Sequence, residues 1–77
     1  MRIPIIDMKS TGQNIIYLRR KQGLTVRQLQ ALLGFATPQA IYKWQNGTSL
    51  PTIDNLVALS CILCVPIDAI IITNIPS

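Results

Sequence analysis

The chain has 77 residues, 49% apolar and 13% charged, with seven Lys and Arg against three Asp, no histidine and a net charge of +4. That is one small domain, able to bury roughly 60% of the surface its unfolded form exposes. Without histidine, and with Asp7, Asp54 and Asp68 scattered along the chain, no catalytic dyad, carboxylate pair or histidine-based metal site can be drawn.

No enzyme activity, cofactor, metal or small-molecule substrate is therefore expected. The basic balance points to a polyanion, nucleic acid first, with a plain solubility charge as the other reading. So few charges on so small a domain suggest an oligomer or a covered apolar patch.

The first residues, MRIPIIDM, are apolar and interrupted by Pro4, which predicts an extended arm or edge strand over residues 1–9. They reach Asp7 before an apolar stretch of signal length, so no signal peptide is expected. A first helix fits Ser10 to Gln22, capped by Ser10 or Thr11, with Ile15 and Leu18 inward and Gly23 as its stop. Arg19, Arg20 and Lys21 fill its last turn, where they complement the helix dipole or reach phosphate.

Thr25 caps a second helix with Val26, Leu29 and Leu33 on its apolar face and Gly34 as its end. After the short turn Phe35-Ala36, Thr37 caps a third helix with Pro38 in its first position, and Asn46-Gly47 closes it. At about 100° per residue, Ile41, Trp44 and Gln45 share one side of this helix and Gln39, Tyr42, Lys43 and Asn46 the other. The second side is long, polar and free of acids. Gln can pair with adenine and Lys can donate to guanine, although a solvated polar face would look the same.

Thr52 caps a fourth helix in which Leu56, Leu59, Ser60 and Leu63 recur at helical spacing until Val65-Pro66. Its outer stripe, Val57, Ala58 and Cys61, is apolar where a solvated helix would carry charge. Either the terminal arms or a second subunit covers it. A short fifth helix is expected over Ile67 to Ile71, then a loose tail over residues 73–77, unless the IIIT segment pairs with the N-terminal arm. The longest apolar run, Val57 to Ile72, is broken by Pro66 and Asp68 and is too short to span a bilayer. No membrane association is expected, and the location is expected to be cytoplasmic.

Cys61 and Cys64 make a lone C-x-x-C, with no further Cys or His to complete a zinc site. Plain reduced thiols are expected, with a redox pair or a metal shared between subunits as the alternatives.

Helix, short turn and helix over residues 25–46 make a helix-turn-helix. The run from Gly12 to Ile71, above all IYKWQNG, the Pro four residues beyond its Gly, and VPIDAI, resembles the Cro/repressor-type (Xre-like) helix-turn-helix family. The resemblance implies an all-α, compact five-helix, lambda-repressor-like domain over residues 10–72. It also implies a sequence-specific regulator of transcription, a repressor, bound to double-stranded DNA as a homodimer.

By the same resemblance Thr37, Pro38, Gln39, Tyr42 and Lys43 fall where bases are read. Thr25, Arg27, Asn46, Gly47, Thr48 and Ser49 fall near phosphates, the loop residues partly through backbone N–H groups, and Arg19, which no carboxylate neutralises here, is expected to turn outward to phosphate. Three features depart from the family pattern: Gln45 stands where Arg19 usually meets a Glu, Gln30 where Ala is usual, and the turn is one residue longer. The alternative function is a protein-interaction module on the same scaffold, an antitoxin or anti-regulator, which the apolar outer stripe favours.

Overall fold

The computed structural model describes residues 1–76; Ser77, the end of the expected tail, lies outside them. The order of elements is β1 (Ile5–Ile6), α1 (Met8–Lys21), α2 (Val26–Leu33), α3 (Gln39–Gln45), α4 (Ile53–Leu63), a single 3-10 turn (Ile67–Ala69) and β2 (Thr73–Asn74). The expected all-α, five-helix architecture is thus corrected to four α-helices, a 3-10 turn and a small ribbon. Only a three-residue turn forms after Pro66, and by Ile72 the backbone is bonded to Thr11 and Asp7 instead of continuing a helix.

The first helix begins two residues earlier than Ser10. Asp7, not Ser10 or Thr11, is its N-cap, and its Oδ1 accepts from the Ser10 amide at 2.9 Å. Thr11 is instead fully buried. Its Oγ1 accepts the Ile72 amide at 2.9 Å, so the hydroxyl holds the far end of the chain rather than capping its own helix. Two more polar side chains on α1 do the same. Asn14 Nδ2 donates to the carbonyls of Ala69 and Ile70 at 2.8 and 3.0 Å, and Gln22 Nε2 to that of Leu63 at 3.2 Å.

The termini meet in an antiparallel pair, Ile5 opposite Asn74 and Ile6 opposite Thr73. The arm-pairing alternative is therefore the one adopted, and Thr73–Asn74 is not loose tail. The Asp7 amide extends the pairing to the Ile72 carbonyl at 2.8 Å, and Asn74 Nδ2 donates to Asp7 Oδ2 at 2.8 Å.

The core is Ile15, Leu18, Leu29, Ile41, Trp44, Leu59, Leu63 and Ile70. Of the residues at helical spacing on α4, Leu59 and Leu63 are buried in it, whereas Leu56 is only partly buried against the cluster. Phe35 meets Trp44 edge-on, with ring centroids 5.8 Å apart. α1 crosses α3 where Gly12 has no side chain: a Cβ there would lie 2.3 Å from the Trp44 carbonyl oxygen and 2.7 Å from that of Gln45. This close crossing sets how α3 stands on the core.

Candidate nucleic-acid interface

α2 starts as its sequence predicts. Thr25 Oγ1 accepts from the Gln28 amide at 3.1 Å, and Gln28 Oε1 accepts from the Thr25 amide at 2.8 Å, a reciprocal capping box. The amides of Val26 and Arg27 precede the first helical acceptor bond of α2, so they face out of the helix end. Thr25 and Arg27 are both exposed.

α2 ends at Gly34, with φ 73°. The turn that follows is held by Gln30, whose Nε2 donates to the Phe35 carbonyl at 3.2 Å. The departure at Gln30 thus has a structural role: the longer side chain fastens the longer turn.

In α3 the expected cap is corrected. Pro38 occupies the N-cap position, no side chain caps the helix, and Thr37 is exposed beside it. The Pro38 carbonyl accepts the first helical bond, from the Tyr42 amide, at 3.1 Å. The two faces are as the wheel predicts. Ile41 and Trp44 are buried, and this fixes the helix's rotation about its axis. Gln39, Tyr42, Lys43 and Asn46 are exposed, and Pro38 is half-buried.

Arg19 and the loop amides, both expected at phosphates, are engaged within the fold. Arg19 is 8% exposed, with Nε donating to Gln45 Oε1 at 3.1 Å and Nη1 to the Leu24 carbonyl at 2.8 Å. It ties the end of α1 to α3 and to the following loop, and does not turn outward. The loop after α3 has also committed its backbone. The amides of Asn46, Gly47, Thr48 and Ser49 donate to the carbonyls of Tyr42, Trp44, Lys43 and Lys43, respectively. This closure satisfies the last carbonyls of α3. The exposed side chains of Asn46 and Thr48 stay available; Gly47 and Ser49 are half-buried. The Asn46-Gly47 pair carried the signal for this, because a left-handed glycine after a helix brings such amides back to the helix end.

One residue is added. The Gly47 backbone, at φ 75°, lies against the start of α1, where a Cβ would sit 2.9 Å from Lys9 Cα. The exposed Lys9 is therefore beside this loop, although 38 positions before it in the chain. Sequence spacing gave no sign of this neighbour.

A shallow cleft of about 420 Å³ separates the turn from α4, lined by Gly34, Phe35, Ala36, Thr37, Ala40 and Asn55, none of them titratable. Among the described residues there is no group of three or more His, Cys, Asp or Glu suited to a metal, and no helix is long and apolar enough to cross a membrane. On α4, Val57 is 57% exposed, Cys61 is exposed and Ala58 half-buried. The terminal arms, paired with each other, do not cover this stripe. Ile53, at 78%, extends it by one turn.

A family model described as helix-turn-helix matches residues 15–70. No curated protein matches the sequence. Among solved structures, the restriction-modification controller protein C.AhdI from Aeromonas hydrophila is similar at a TM-score of 0.74 and 22% identity, over 83% of this chain and 96% of that one. The BldD DNA-binding domain of S. venezulae gives 0.70 and 18%, over 84% and 96%. Apo-HppE gives 0.72 and 24%, over 84% of this chain but 36% of its own. At these identities the likenesses establish the fold.

Proposed function

The chain belongs to the helix-turn-helix family, in its Cro/repressor-type branch, and on that premise we propose that it is a regulator of transcription that reads double-stranded DNA with α3. The observation that carries this is the rotation of α3. Ile41 and Trp44 lock one face into the core, and Gln39, Tyr42 and Lys43 are left outward on a helix of major-groove size. These three, with Thr37 and Pro38 at the leading end, are the base-reading set.

Thr25, Arg27, Asn46, Thr48 and the added Lys9 hold phosphates. The exposed amides at the start of α2 favour an anion there. Arg19 has no part in binding except through α3's position. The names of the similar proteins, a controller protein and a DNA-binding domain, agree with this reading.

The active form is a homodimer joined through α4. Ile53, Val57 and Cys61 recur at four-residue spacing on one exposed side. Ile53, Val57 and Cys61 are themselves uncharged, so two such stripes can meet through apolar side chains. A two-fold pair would present two copies of α3 to a two-fold site and act as a repressor by occupying it. The same stripe would also serve an interaction module with a different protein partner. Gln39→Ala and Lys43→Ala decide between them. A base-reading α3 loses preference at a defined position of the site, by about 1–3 kcal/mol per contact, whereas an interaction module keeps whatever weak DNA affinity it has.

A further inference from the structure

The sequence places Cys61 and Cys64 in an apolar helical stretch, yet both thiols are exposed. Cys61 lies in the last turn of α4, and Cys64 is its C-cap with left-handed backbone angles, φ 59° and ψ 41°. This conformation folds Cys64 back over the turn that begins at Cys61. Its amide nitrogen is 3.4 Å from the Cys61 carbonyl oxygen, and its Sγ is 3.7 Å from the same oxygen. Residues closing such a turn have Cα atoms less than about 7 Å apart, and a disulfide needs roughly 4.4–6.8 Å. The Cα spacing is therefore within disulfide reach, and the Cys61 side chain is exposed, with room to rotate about χ1.

We propose that Cys61 and Cys64 are a site of thiol–disulfide exchange, which closes an intrachain disulfide at the end of α4 when a low-molecular-weight disulfide is the oxidant. The thiolate of one cysteine attacks a sulfur of that disulfide, forms a mixed disulfide and expels one small thiolate. The second cysteine, as its thiolate, attacks the protein sulfur of the mixed disulfide and expels the other. The two cysteine protons end on the two released thiols. One protein dithiol is oxidised and one small disulfide is reduced. The chain has only these two cysteines, so each is the sole resolving partner of the other within a chain. The site goes beyond the DNA reading; it needs the Cys61 thiol open, as it is in the single chain, and so competes with the α4 pairing proposed above.

The test treats the whole protein, together with Cys61→Ser and Cys64→Ser, with oxidised glutathione and follows intact mass and non-reducing electrophoresis. The far-ultraviolet spectrum of each variant checks that the fold is kept, which serine at an exposed position should allow. The expected result is that the wild-type chain loses two hydrogens, keeps no glutathione, stays a single chain and returns to its starting mass with dithiothreitol. Each single variant stops with one glutathione attached. A wild-type chain that keeps glutathione, cross-links to a second chain or does not react would overturn the proposal.

Discussion

Arg19 Nε donates to Gln45 Oε1 at 3.1 Å, and through this bond the end of α1 grips the last turn of the helix assigned to base reading. Arg19 is 8% exposed, and the acceptors of its guanidinium, the Gln45 amide oxygen and the Leu24 carbonyl, are both neutral. A carboxylate in place of the amide would make the bond charge-assisted. Gln45→Glu is expected to stabilise the fold by about 1 kcal/mol, and Gln45→Ala to destabilise it by about 2 kcal/mol, since it leaves a nearly buried charge short of an acceptor. Urea denaturation of the three proteins measures both. Equal stability of Gln45→Ala and wild type would remove Arg19 from its role in holding α3.

Gly12 sets the other constraint on α3. Any Cβ at this position meets backbone oxygens at 2.3 and 2.7 Å, and a helix backbone cannot give way as a flexible side chain would. Gly12→Ala is expected to cost about 3 kcal/mol, the upper range for overpacking. Gly23, where φ is +69° and nothing lies within 4 Å of the added atom, is the control; Gly23→Ala should cost only about 1 kcal/mol of backbone strain. Thermal melts that ranked the two alike would show that α1 and α3 can separate at little cost.

Of the signals that lie close together in sequence, those of α2 and the two faces of α3 are legible, whereas Ser10 or Thr11 and Thr37 are misread as the caps of α1 and α3. Thr25, Gln28 and Gly34 define α2 within ten positions, and the positions of Ile41 and Trp44 orient α3. The rest of what could not be read depends on partners far along the chain. Thr11 looks like a cap until Ile72 takes its hydroxyl, and Arg19 looks free for phosphate until Gln45 and Leu24 take its donors. Lys9 reaches the candidate site only because Gly47 lets the loop after α3 settle on α1. The ribbon joins residues 67 and 69 positions apart, beyond the reach of any local pattern.

Among the described residues Cys64 is the one non-glycine residue with positive φ, at 59°. A Cβ in this region costs about 1 kcal/mol per residue, and helices commonly use glycine here. Cys64→Gly is expected to stabilise the protein by about 1 kcal/mol in reducing conditions, measured by the midpoint of urea unfolding. A loss of stability would mean that contacts of the Cys64 side chain outweigh its backbone strain.

Asp7 joins the α1 cap to the terminal ribbon. Its carboxyl is held below the ordinary value, first by the Ser10 backbone amide and then by the Asn74 side chain. A depressed folded-state value means that the carboxylate stabilises the fold above the unfolded value of about 4, and that this contribution fades as pH falls through the folded value. Asp7→Asn should therefore melt lower than wild type near neutral pH, and the two should converge in strong acid. A gap that persists unchanged in acid would show that the hydrogen-bond geometry of Asp7, not its charge, holds the ends together.

Base reading by α3 is decided by binding of the purified protein to a randomised DNA duplex pool, followed by fluorescence anisotropy at two salt concentrations with sequencing of the bound fraction. The expected result is affinity that falls steeply with salt, an enriched motif with two-fold symmetry, and half-sites about one helical turn apart. Weak binding with no enriched motif would contradict it and leave the Ile53, Val57 and Cys61 stripe as the working surface of a protein-interaction module.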